Sequence, residues 1–306
     1  LDRPFDPETK IVSRSSRPEV LERGCDICVV GSGASGMSAA IEAARAGRDV
    51  ILIDGLPSLG GQAVNSIIGM FCGLFTPGDN GRQLTHGVAD ELLEELGAAG
   101  DLKVVGGGVM KVAMYDEVAL GRWVERKILE AGVTPLTGAI IRRVNRDGRR
   151  VTSIDAATRH GDVRVKADAF IDATGDAAIT WEAGFDCRMH KNGQVYGSQM
   201  LVIENFNDDK RPGWEEMGAR IRDKGGDYGM MRRDGFALRY PDRDVAIVNM
   251  THIETPLDPF EAAEKQIDGK DQADRTLVFL RNEFPEAFGK AKIRAYGLPG
   301  IRQTRW

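Results

Sequence analysis

The stretch CDICVVGSGASGMSAAIEAARAGRDVILIDG, Cys25 to Gly55, constrains the fold of this chain more than any other. Asp26 to Val30 is a short apolar run that reads as a buried strand, and Val50 to Ile53 is a second one. Between them stand the turn Gly31-Ser32-Gly33-Ala34-Ser35-Gly36 and a small-residue-rich helix over Gly36 to Gly47. Connections this short favour adjacent parallel strands with the helix packed across them. Gly31 permits the tight turn, Gly33 lets the backbone approach a pyrophosphate, and Gly36 lets the helix pack closely on the strand. The helix N-terminus attracts the phosphate charge. Asp54 ends the second strand, where a carboxylate can take both hydroxyls of an adenosine ribose and would repel a 2′-phosphate.

The same stretch opens with Cys25-Asp26-Ile27-Cys28, the spacing of a redox dithiol or half a zinc site. Residues three apart on an extended strand point to opposite faces, so this pair is expected to pack in or beside a sheet. Cys72, in FCGLF, is placed near the cofactor ring but reads as core material, and Cys187 has no partner in sequence. No spacing resembles a zinc set, so no metal is expected.

The rest of the chain extends the α/β pattern. Residues 1–24 read as an extended arm and 59–80 as a short helix followed by a loop. Helices are expected over Gly81 to Gly97 and Val118 to Ala131. Strand signals follow at Val133 to Leu136, Ala139 to Val144, Val151 to Ala156, Val163 to Lys166 and Ala169 to Asp172, with RDGRR as a tight turn. From Gly184 the texture changes to the strand-like GSQMLVIENF and DVAIVNMTHIE and a long helical stretch from Pro259 to about Leu280. The expected organisation is an arm (1–24), a Rossmann-like domain (25–184) carrying a helical and loop insertion (76–117), a second α+β substrate or cap domain (185–295), and a return segment (296–306).

The glycine fingerprint alone serves NAD or FAD, and three further features turn the reading toward FAD. Leu59-Gly60-Gly61 follows soon after Asp54, where a flavin's diphosphate and ribityl chain would lie. FIDATGDAA, Phe170 to Ala178, brings a second glycine-bearing turn to the crevice. The strands from Ala139 to Lys166 look like an inserted β-meander. With these motifs in order, the chain from Cys25 onward resembles the glutathione-reductase-type FAD fold. More closely, it resembles the FAD-dependent oxidoreductases related to fumarate-reductase flavoproteins. The resemblance implies that Gly31, Ser32, Gly33, Ala34, Ser35 and Gly36 hold the diphosphate and Asp54 the ribose. It implies that Gly60, Gly61 and Gln62 border the cofactor and that the backbone at Ile140 faces the adenine. Ala173, Thr174, Gly175 and Asp176 would then close over the diphosphate or ribityl.

The family pattern also includes an R-x-x-R segment, present here as Arg302-Gln303-Thr304-Arg305. Arg302 and Arg305 are expected either to answer negative charge on the reduced ring or a substrate carboxylate, or to form plain ion pairs. Family members continue past this segment into a strand and helix that return to the cofactor domain. This sequence begins at Leu1 and ends at Trp306, so the expectation is a split or processed protein whose missing part a second polypeptide supplies within an oligomer.

Four histidines offer proton acceptors. His86, after the flavin-side loop, and His190, after the ATGD helix, are candidates; His86 is carried forward as the catalytic base. His160 reads as solvated and His252 as satisfied within the second domain. The expected activity is hydride transfer from a small amine, hydroxy acid or alcohol to flavin N5. An NAD-dependent dehydrogenase and a non-catalytic flavin-binding subunit stand as alternatives.

Composition limits the partners. The chain has 306 residues, 41 basic against 46 acidic, for a net charge of −5. That balance argues against nucleic acid or an anionic membrane as the main partner. No apolar run reaches the roughly 18–20 residues of a membrane span, and the N-terminus lacks a signal peptide's apolar core. Four cysteines without paired spacings suit a reducing compartment, so a cytoplasmic protein is expected.

Overall fold

The computed structural model describes residues 11, 13, 19–78, 80–107, 110–189, 196–256, 258–300 and 305. The strand β1 (Leu21–Val30) enters the glycine turn, α1 (Ala34–Arg45) leaves it, and β2 (Val50–Ile53) returns parallel to β1. Next come α2 (Gly61–Asn65), β3 (Met70–Cys72), α3 (Val88–Ala98), β4 (Leu102–Gly107), β5 (Met110–Tyr115) and α4 (Glu117–Glu130). The chain continues through β6 (Thr134–Leu136), β7 (Ile140–Asp147), β8 (Arg150–Thr158) and β9 (Gly161–Asp172) into α5 (Ala178–Glu182). The remainder comprises β10 (Leu201–Glu204), α6 (Trp214–Lys224), β11 (Phe236–Arg239), β12 (Val245–Asn249), α7 (Pro259–Glu283), α8 (Pro285–Phe288) and β13 (Lys292–Tyr296). Among the described residues no helix is long and apolar enough to cross a membrane.

The first sheet runs β6-β2-β1-β9-β8-β7, parallel from β6 to β9 and antiparallel through β8 and β7. The two neighbours of β1 both lie parallel to it, which is why its apolar run is continuous rather than alternating. On one face Val29 and Leu52 meet Ile41 of α1, Leu92 of α3 and Trp123 of α4. On the other, the β7–β8 meander curls round so that Val144 and Ile154 meet Cys28 and Ile53. Each fully buried Leu or Ile here contributes about 1.5–3 kcal/mol relative to exposure.

A second sheet, β11-β12-β10-β13, is wholly antiparallel. One face packs Leu201, Ile203 and Val248 on Ile221 of α6, Phe279 of α7 and Phe288 of α8. Its other face turns toward the first part of the chain, where Val202 and Ile247 meet Ile67, and Phe236 and Leu238 meet Met70 and Met114. Those last two methionines belong to a small third sheet, β3-β5-β4. The mixed α/β architecture with a Rossmann-like parallel core and an antiparallel meander agrees with the reading from sequence.

Several local expectations are corrected. The helix expected over Gly81 to Gly97 begins only at Val88, because Gly87 sits at φ 76° and donates its N–H to Asp90 Oδ2 at 2.9 Å. The antiparallel pair β4–β5 lies in a region where no strands were expected. Cys25 and Cys28 do not face opposite sides of the sheet, since both pack in the cluster under the meander. At this point the N–H groups of Asp26 and Ile27 both donate to the Asp49 carbonyl, at 3.0 and 3.1 Å. Burial pushes the Cys28 thiol pKa well up, so it stays protonated and inert.

Candidate active site

The glycine turn is built by contacts no larger residue would allow. Gly31 lies at φ 96°, and a Cβ there would stand 2.3 Å from the Ala173 carbonyl oxygen. Gly36 is tighter still, with a Cβ falling 1.7 Å from the Gly31 oxygen. Backbone bonds from Gly31 to Ile53 (2.8 Å) and from Ala173 to Val30 (2.8 Å) fasten the turn between β2 and β9. Gly33 differs from both neighbours: a Cβ there would meet no protein atom within 4 Å.

That open space is the floor of a cleft of about 420 Å³. Gly31, Gly33, Ala34 and Ser35 supply one side, and Ala173, Thr174 and Gly175 a second. Gly61 and Gln62 form a third, seated by the Gly60 N–H on the Ser32 carbonyl at 3.1 Å. Helix α1 begins at the cleft with no side-chain cap, so its first N–H groups are left for a ligand.

Asp54 closes one end. Its Oδ2 accepts from the Ser32 N–H at 2.7 Å and the Ser32 hydroxyl at 2.6 Å, and its Oδ1 accepts from the Leu56 N–H at 2.8 Å. Ile140 is exposed beside it, its Cδ1 within 3.5 Å of a Cβ built on Gly55.

Asp172 shapes the opposite turn. Its carboxylate accepts from both the hydroxyl (2.8 Å) and the N–H (2.9 Å) of Thr180, and from the Thr174 hydroxyl at 2.7 Å. Burial alone would raise its pKa, but these donors outweigh burial and hold it below the usual carboxylate value. Asp176 lies half-buried in the same turn.

The structure also brings in residues that sequence reasoning missed. Leu56, Ala63, Ile68, Met70, Phe71 and Tyr115 give the cleft an apolar wall. The Tyr115 ring lies 4.6 Å from that of Phe71, and its buried hydroxyl donates to the Ala63 carbonyl at 3.0 Å. The apolar residues after the glycine pair could have signalled part of this wall. Tyr115 gave no such signal, because it arrives on β5 through pairing with β3.

Not every expected residue joins the cleft. His86 is exposed outside it, with Nδ1 3.1 Å from Asp90 Oδ1 at the start of its own helix. Arg305 lays its guanidinium 4.5 Å from the ring centre of Trp181, on the helix that follows the ATGD turn. Arg302 and His190 lie outside the described residues.

The model of the family described as FAD dependent oxidoreductase matches residues 26–306. The chain belongs to that family. The cofactor of this FAD-dependent oxidoreductase is therefore FAD, and the cleft fits it. An uncapped helix N-terminus faces open space over Gly33, where the diphosphate charge would be answered. The fold is similar to that of a geranylgeranyl bacteriochlorophyll reductase-like protein from Thermoplasma acidophilum. The two are 15% identical with a TM-score of 0.56, over 90% of this chain and 66% of that one. The flavin-dependent brominase Bmp2 is 14% identical with a TM-score of 0.53, over 93% of this chain and 73% of its own. An L-amino acid deaminase from Proteus vulgaris, lacking its specific insertion sequence, is 13% identical with a TM-score of 0.51, over 92% and 79%. At these identities the likeness is one of fold. The oxidoreductase spans just under two thirds of the length of the first of these structures. Among curated proteins, nothing matches its sequence.

Proposed function

We propose that this chain holds FAD along the cleft and oxidises a small organic donor, an amine, hydroxy acid or alcohol, by removing a hydride from carbon. The observation that carries the reading is the space over Gly33, which faces the uncapped start of α1 and is bounded by two further glycine turns. FAD, when bound, supplies a ring that accepts a hydride at N5. The amides at the start of α1 neutralise the diphosphate, and Asp54 offers its remaining lone pairs to a ribose hydroxyl. Phe71 and Tyr115, with Ile68 and Met70, keep water from the apolar wall and raise the strength of electrostatic contacts beside it.

The test is an anaerobic bleaching screen of the purified yellow protein, with any chain that co-purifies, over amines, hydroxy acids and alcohols. Loss of flavin absorbance with one donor class is the expected result. A colourless preparation that takes up no FAD contradicts the cleft assignment. Bound FAD that no donor bleaches favours a non-catalytic flavin-binding subunit instead.

A further inference from the structure

Beside the cofactor cleft, across the first turn of α1, lies a second pocket of about 320 Å³. Ala34, Ser35 and Phe71 line both, so the two spaces share a wall. The floor of the second pocket is the main core itself. Met37 of α1 and Val88 and Leu92 of α3 are buried there, with Phe71 and Leu74 packed half-buried against the same cluster. Ser35 and Thr85 line the pocket from exposed positions, so the core stays open to the surface at this point.

The walls are tied together around this opening. Beyond β3 the chain folds back on itself, with the Leu84 N–H donating to the Leu74 carbonyl and the Thr76 N–H to the Arg82 carbonyl, each at 2.8 Å. The Gln83 side-chain amide fastens this turn-back to α3 by donating to Asp90 Oδ1 at 2.6 Å. Lys111 of β5 holds it from the other side, its ammonium 5.1 Å from the centre of the Phe75 ring. Helix α3 is joined to α1 in turn, since Arg45 Nη2 donates to Glu91 Oε2 at 2.9 Å. A space framed this way exists before a ligand arrives. Among the described residues no charged side chain lines it. Its polar side chains are three hydroxyls, of Ser35, Ser38 and Thr85, and Ser38 donates to the Ala34 carbonyl of its own helix at 2.8 Å.

We propose that this pocket binds a small uncharged apolar molecule of one or two rings, or a branched hydrocarbon group of that size. A dry apolar cavity of about 150 Å³ holds one benzene ring, and this pocket, at about 320 Å³, has room for roughly twice that. A protein helix, about 10–12 Å across with its side chains, is too wide to enter. An ionised ligand would give up its hydration and find no charged partner in return. The occupant covers Met37, Phe71, Leu74 and Leu92 from water, and that burial drives binding. It also touches the first turn of α1 and Phe71, which the FAD cleft shares, so cofactor and occupant sit side by side. The site stands whether or not its occupant is the molecule that FAD oxidises.

The test uses the FAD-loaded protein with methyl-labelled methionines, indole as the probe and indole-2-carboxylate as its charged counterpart. Indole at up to about 5 mM should shift the Met37 methyl signal, assigned with M37L. The signal of Met217, in the core behind the second sheet, should stay in place. The carboxylate should bind roughly tenfold or more weakly than indole. Ala89→Phe fills the pocket from α3, so it should weaken indole by roughly tenfold or more and keep the wild-type ratio of flavin to protein. A wild-type Met37 signal that indole does not move overturns the proposal without recourse to any variant. A shift confined to Met70 also overturns it, because Met70 lines the cleft and indole would then occupy the cofactor's space. Equal affinity for indole and the carboxylate contradicts the apolar assignment. Wild-type indole binding in Ala89→Phe, or in the milder Ala89→Leu should the first not fold, places the probe elsewhere. A Met37 signal that moves with protein concentration in the absence of indole makes a second copy of the chain the occupant and overturns the small-molecule assignment.

Discussion

The Ser32 hydroxyl and backbone N–H both end on one oxygen of Asp54, at 2.6 and 2.7 Å, so the acid that closes β2 also locks the turn that leaves β1. All of these groups are buried. Removing the hydroxyl alone, in S32A, leaves Asp54 two backbone donors and should cost about 1 kcal/mol in urea unfolding, with FAD retained. D54A strands the Ser32 and Leu56 donors and should cost roughly 2–4 kcal/mol and lose FAD. Equal losses in the two variants would show that Asp54 does not organise the turn.

Gly33 and Gly36 are three residues apart and should fail in opposite ways. Gly33→Val points into open space, so the apo fold should change by less than about 0.5 kcal/mol while FAD absorbance is lost. Gly36→Ala places a Cβ 1.7 Å from the Gly31 oxygen and should cost about 3 kcal/mol or more, whether or not FAD is present. Thermal melting and the ratio of flavin to protein absorbance separate the two outcomes.

Asp172 should make stability pH-dependent. Its carboxyl pKa is held below the ordinary value in the folded chain, so its contribution is present above about pH 4 and is lost as pH falls toward the folded value. D172N should be less stable at neutral pH by about 1 kcal/mol, modest because the group is only half-buried. The gap between wild type and variant should close below about pH 4. Denaturant midpoints measured from pH 3 to 7 give the comparison.

The tip of the β11–β12 hairpin docks on the start of α4 through Arg243 and the buried carboxylate of Asp116. Asp116 also caps α4 by accepting from the Val118 and Ala119 N–H groups, at 2.9 Å each. R243A leaves that carboxylate facing a vacated partner and should cost roughly 1–3 kcal/mol, tempered by the exposure of the arginine. A double-mutant cycle with D116N should return a coupling of about 1 kcal/mol or more, and none would mean that the contact does not hold the hairpin.

Near the N-terminus the fold was legible because its determinants are local. The apolar runs at Val29 and Leu52, the three glycines between them and the acid at Asp54 lie within one β-α-β unit, and the structure assembles them as neighbours in one sheet. Asp116 likewise announces α4 from the residue before it. Legibility failed where pairing spans distance. The β4–β5 ladder carries glycines that mask its alternation, and it is completed by β3, which lies far upstream.

Residue order by itself determined the glycine turn between β1 and α1, since only glycine satisfies the contacts at Gly31 and Gly36 and a strand must end at the helix that starts there. Tertiary structure alone decided what else surrounds it. Tyr115 reaches the cleft through β5, which pairs with β3. Cys25 and Cys28 pack in one cluster under the meander, against the strand rule. In each of these cases the position is set by partners distant in sequence, and no local propensity carries that information.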